Sequence, residues 1–106
     1  MSRYFILKNR TVHSCLDAME WAKWFEENPS DRVVKQSEVN GAKISTVFLG
    51  IDHCYDGGEP ILYETMIFGG PNDQYQYRYH TYKQAEEGHD KLVEKLTAGL
   101  VIDGTP

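Results

Sequence analysis

VVKQSEVNGAKISTVFLGI, Val33 to Ile51, decides the fold. Asn40-Gly41 separates two strand-like runs, Val33 to Val39 and Ala42 to Ile51. A two-residue type I′ hairpin turn needs positive φ at both central positions, and Asn-Gly tolerates this best. Pairing across such a loop sets Glu38 opposite Lys43 and Val34 opposite Val47, matching opposite charges and β-branched side chains. The first run also carries Lys35, Gln36, Ser37 and Glu38, a polar content that suits a sheet edge. An antiparallel sheet therefore lies at the centre of the chain.

Working outward, Ile61 to Phe68 reads as a third strand, and the loop GGPNDQ leads into a fourth, Tyr75 to His80. Upstream, Arg3 to Leu7 forms an opening strand, followed by a polar turn, Lys8 to His13. A helix then begins at Ser14, with Asp17 three residues on as the other half of a cap, and stops at Asn28-Pro29 because the residue before proline is pushed out of helical geometry. Helical spacing puts Ala18, Trp21, Ala22 and Phe25 on its buried side. Trp24 falls outside that stripe, which makes it either an interface anchor or a ring covered by a loop.

The last helix is capped by Thr81 with Gln84, buries Tyr82, Ala85, His89, Leu92, Val93 and Leu96, and ends at Gly99. Residues from about 100 to 106 read as a flexible tail. The expectation is an α+β domain covering 1–106. Its antiparallel sheet has about five strands in the order β-α-β-β-β-β-α, with two helices on one face.

A chain of 106 residues has room for one core. The net charge is -5, with 16 acidic and 11 basic residues interspersed, so neither a nucleic-acid-binding surface nor a phosphate-mimicking stripe is present. No apolar run approaches the roughly 20 residues that cross a bilayer, so a spanning segment is excluded, and no membrane partner is expected. Cys15 and Cys54 lack CxxC spacing, and MSRYFILKNR lacks the apolar core of a signal peptide, so a reducing cytosol is expected.

Pairing Phe68 with Tyr75 would place Leu62, Glu64, Met66, Phe68, Tyr75, Tyr77 and Tyr79 beneath the helices. Glu64 would then be misplaced in an apolar set, as His89 is in the last helix. The expected solution is a structural polar pair between them, although such a pair also resembles the base and orienter of a catalytic site. The opposite face would present Tyr63, Thr65, Ile67, Arg78 and His80, with Ile44, Thr46 and Phe48 from the hairpin. It would serve as a contact surface for a second copy of the chain, forming a homodimer, or for a target. Tyr63, Arg78, His80, Phe48 and Trp24 are the candidate binding residues.

The stretch FLGIDHCYDGGEP, Phe48 to Pro60, collects Asp52, His53, Cys54 and Asp56. No HxH, HxxxH or CxxC spacing arranges two ligands in advance, so it reads as a connecting loop with no metal and no cofactor. Gly69-Gly70 lacks the pattern of a phosphate loop.

The segments STVFLGIDH, GGEPILYETMIFGGP, RYHTYKQAEEGH and the MSRYFIL opening resemble a group of small uncharacterised proteins encoded by bacteriophages and prophages, through their LGxDH, ETMxFGGP and AExGH elements. The resemblance covers most of the chain and implies a phage product in a bacterial cytosol. It makes Asp52, His53, Glu64 and His89 recurring elements and Cys54 a variable one, and it brings no catalytic residues. Two functions follow as expectations. One is a non-catalytic accessory protein that binds a host protein or a small signalling molecule, for counter-defence or host modulation. The alternative is a small hydrolase acting on a nucleotide, with Asp52, His53, Arg78 and His80 converging on a site.

Overall fold

The computed structural model describes residues 3–54 and 56–106. The elements are β1 (Tyr4–Lys8), β2 (Thr11–Cys15), α1 (Ala18–Glu27), β3 (Val33–Val39), β4 (Ala42–Phe48), β5 (Tyr63–Phe68), β6 (Gln76–Tyr79) and α2 (Tyr82–Thr97). This is an α+β fold in which β3-β4-β5-β6 form one antiparallel sheet and β1-β2 a second. Helix α2 packs across all four strands of the larger sheet, while α1 packs on the β1-β2 hairpin. The sheets meet beyond the end of β4, where Tyr4 bridges Ile51 and the Phe5 amide donates to the Gly50 carbonyl at 2.8 Å.

Among the described residues six strands replace the expected five because Thr11–Cys15, read as a turn and helix start, pairs with β1. The turn between them is Asn9-Arg10, with φ of 50° and 64°. It is a two-residue hairpin turn made without glycine, so the usual sequence signal is missing. Ser14 is consequently a strand residue, and the cap of α1 is Asp17, whose carboxylate accepts from the amides of Met19 (2.9 Å) and Glu20 (3.4 Å). The expected buried stripe is corrected too. Ala18 and Ala22 are exposed, and the half-buried residues of the helix are Trp21, Trp24 and Phe25. The Trp21 indole donates to the Phe5 carbonyl at 3.0 Å, and Trp24 meets Phe48 edge-on with centroids 6.0 Å apart.

The central hairpin pairs Glu38 with Lys43 as its turn dictates, but a bulge after Val33 puts Val33, not Val34, opposite Val47. The β5-β6 register differs by one residue from expectation. Tyr63 faces Tyr79 and Glu64 faces Arg78, because Gln74 takes φ 70° and the loop closes with Ile67, rather than Phe68, bonded to Tyr75. A one-residue slip exchanges a strand's two faces. Tyr63, Thr65 and Ile67, expected on the open face, therefore lie under α2, together with Ile44, Thr46 and Phe48, none more than 1% exposed. The proposed contact surface is thus core. Of its members Arg78 still points outward.

The buried face is ordered in three layers. Ile44 pairs with Ile67, Thr46 with Thr65 and Phe48 with Tyr63. Leu92 and Leu96 of α2 cluster with the isoleucines and Ala85 with the aromatic pair. Each large apolar side chain so buried contributes about 1.5–3 kcal/mol. The helix begins with the expected capping box of Thr81 and Gln84. Gly88 lets it approach the sheet: a β-carbon there would fall about 2.5 Å from the Tyr79 hydroxyl oxygen.

The chain after Gly99, expected to be a loose tail, returns to the body. Ile102 is buried, its amide donates to Asn72 Oδ1 at 2.8 Å, and the Tyr75 hydroxyl donates to the Gly104 carbonyl at 2.6 Å.

Candidate functional site

Between the two apolar layers runs a chain of hydrogen bonds across the whole sheet. Ser37 Oγ lies 2.8 Å from His89 Nε2, and His89 Nδ1 lies 2.7 Å from Thr46 Oγ1. Thr46 Oγ1 is 2.5 Å from Thr65 Oγ1, which is 3.1 Å from the Tyr79 hydroxyl. The expected Glu64–His89 pair does not form. The register puts Glu64 on the other face, where its carboxylate accepts from Arg78 Nε at 2.9 Å. The threonines take its place as partners of the imidazole.

A serine on one imidazole nitrogen and an orienting group on the other is the geometry of an activated nucleophile. The electrostatics are wrong for it. The orienting group is a neutral hydroxyl, which cannot stabilise the imidazolium that proton abstraction creates. Burial pushes His89 below the usual imidazole range, Lys35 pushes it the same way, and Asp90 only partly opposes them. The chain of hydroxyls is a satisfied internal network that holds helix to sheet.

Of the residues of the hydrolase alternative, the side chains of Asp52 and His80 are spent on backbone and that of Arg78 on Glu64. Asp52 Oδ1 accepts from the amides of Cys54 (2.8 Å) and Ile61 (3.0 Å), and the His53 amide donates to the Ile61 carbonyl at 3.1 Å. His80 Nδ1 donates to the Pro60 carbonyl at 2.9 Å, while Arg78 is engaged by Glu64. The side chains of Asp52 and His80 meet only at the Pro60-Ile61 peptide, where with the His53 backbone they close the loop. Within that loop Asp56 accepts from the Cys54 thiol (2.9 Å) and the Gly58 amide (3.0 Å), which hold its carboxyl below the usual range. Among the described residues no three His, Cys, Asp or Glu side chains converge to hold a metal.

A concavity lies elsewhere. A cleft of about 550 Å³ opens between the β1-β2 turn, the end of α1, the start of β3 and the first turn of α2. Leu7, Val33, Trp24 and Tyr82 give it apolar and aromatic walls. Lys8, Asn9 and Arg10 stand on the hairpin side, and Asn28, Ser30 and Asp31 come from the α1–β3 connection. Behind the walls the rings are continuous: Trp24 packs on Phe48, Phe48 on Tyr63 (5.3 Å) and Tyr63 on Tyr82 (5.9 Å). The Tyr63 hydroxyl is buried without a partner, and burial, with the Tyr82 phenol nearby, pushes it up to about 12. The Arg10 guanidinium lies over the Tyr82 ring, 5.2 Å from its centroid.

Of the sequence-derived binding residues, Trp24 lines this cleft and Phe48 and Tyr63 back it, whereas Arg78 and His80 belong to other parts of the molecule. Lys8, Arg10 and Tyr82 were missed as site residues. The available signals were a basic turn, Lys8-Asn9-Arg10, and a tryptophan off the helix stripe. The chain matches no family model, no curated protein and no solved structure.

Proposed function

We propose that this chain is a non-catalytic binding protein that holds a small signalling molecule or metabolite in the cleft walled by Trp24 and Tyr82. The cleft itself carries the reading. Its volume of about 550 Å³ is within the range that encloses a small ligand, and it combines aromatic walls with a few polar groups. A host protein is the less apt occupant, because the cleft is bounded by several elements and the face once expected to meet a partner is buried under α2. Hydrolysis is less apt as well, since the Asp52 carboxylate and the His80 imidazole are committed to closing a loop and Arg78 to Glu64.

The resemblance of the LGxDH, ETMxFGGP and AExGH elements to small phage and prophage proteins supports an accessory role in the cytosol of a bacterial host, where capture of a messenger would blunt a defence signal or redirect metabolism. No helix of the described residues is long and apolar enough to cross a membrane, which is compatible with that location.

The reading is tested by screening a metabolite library for saturable quenching of tryptophan fluorescence, with each hit followed for turnover. A hit that is lost when the cleft is narrowed by Val33→Phe, persists in Gln76→Ala and is recovered unaltered supports it. Hits insensitive to the cleft, or converted to product, overturn it.

A further inference from the structure

Resting on the reading of the cleft as a ligand site, we infer that its occupant is a nucleoside phosphate, with the ring laid against Trp24 or Tyr82 and the phosphate held by Lys8 and Arg10. Two aromatic walls in one small cleft favour a flat, polarisable ligand, and base stacking on such rings is tolerant of base identity. The charge argues for an anion. On a chain of net charge -5, the cleft gathers Lys8 and Arg10 against the single carboxylate of Asp31. A guanidinium offers paired donors to phosphate oxygens.

The backbone adds a separate observation. Arg10 occupies the left-handed region at φ 64°, where glycine is the unstrained choice, and its guanidinium sits on the Tyr82 ring at the cleft. Strain of this kind at a concave site marks a position whose side chain is needed. From the α1–β3 connection, Asn28, Ser30 and Asp31 supply donors and acceptors suited to ribose hydroxyls and the polar edge of a base. A nucleic-acid strand is excluded by the same charges, because two cations on a net-acidic chain cannot offset a polyanion. A single nucleotide suits both the volume and the charge.

The test is calorimetric titration of the full chain with the four ribonucleoside 5′-monophosphates and their 3′,5′-cyclic forms. The matching nucleosides, ribose 5-phosphate and inorganic phosphate serve as part-ligands. At least one nucleotide is expected to bind at least about tenfold more tightly than either of its halves. Lys8→Ala and Arg10→Gly are expected to bring the nucleotide down to the affinity of its nucleoside and to abolish its salt dependence. Glycine fits the turn, so Arg10→Gly keeps the melting temperature and a loss of binding is not a loss of folding.

Equal affinity for nucleoside and nucleotide, or binding unchanged in Arg10→Gly, overturns the phosphate assignment. If no nucleotide binds at millimolar concentration while an uncharged aromatic compound quenches Trp24 saturably, the nucleotide class is wrong and the cleft reading stands. If neither set of compounds binds, both are wrong.

Discussion

At His89 a buried imidazole is held between Ser37 and Thr46 with no carboxylate, and its environment keeps it neutral. His89→Ala should lower stability by about 1–3 kcal/mol, since it leaves buried hydroxyls unsatisfied, and urea unfolding measures this. The same residue sets a pH dependence. The unfolded imidazole binds its proton near pH 6.5 and the native one only at lower pH, so over that interval the unfolded state carries more protons. Stability is full above about pH 6.5 and falls as pH drops below it, by at most about 1.4 kcal/mol per unit. Relative to the parent, His89→Gln should flatten this limb. One position away, the usual rule reverses. Glycine to alanine inside a helix normally stabilises by about 1 kcal/mol, but at Gly88 the new methyl would meet the Tyr79 ring. Gly88→Ala should therefore destabilise by about 1–3 kcal/mol in the same assay.

The matched strands β4 and β5 show what was legible and what was not. Ile44-x-Thr46-x-Phe48 and Tyr63-x-Thr65-x-Ile67 are complementary when run antiparallel: apolar opposite apolar, hydroxyl opposite hydroxyl. That pattern was available in the sequence and would have given the β5 face directly. The GGPNDQ loop by itself points to the other register, because the positive φ of Gln74 is not signalled by its residue type. The Asn40-Gly41 hairpin and the Thr81 capping box were legible because local chemistry alone determines them. The β1-β2 hairpin was hidden by a turn that holds arginine where glycine is usual. Relief of that strain and loss of the Tyr82 contact are each worth about 1–2 kcal/mol and oppose one another, so Arg10→Gly should melt within a few degrees of the parent by calorimetry.

The cleft exists only at the scale of the whole chain. Its walls come from residues as distant as Leu7 and Tyr82, so no local window could have revealed it. Trp24 was conspicuous in the sequence as a ring off its helix stripe, but the hairpin turn it faces had to be built first. With no metal-ligand cluster among the described residues, and a core of stacked apolar layers around one polar layer, chelator should leave the melting temperature unchanged. The two tryptophans supply an internal control for the site: Trp24 lines the cleft, while the Trp21 indole is tied to the Phe5 carbonyl outside it. The most direct measurement is therefore a two-dimensional nitrogen–proton spectrum of the two indole signals, assigned with Trp24→Phe, recorded as a ribonucleoside monophosphate is added. The Trp24 signal is expected to move saturably while the Trp21 signal holds its place. Two stationary indoles at millimolar nucleotide, with shifts confined to the sheet face around Gln76 and Arg78, would contradict it.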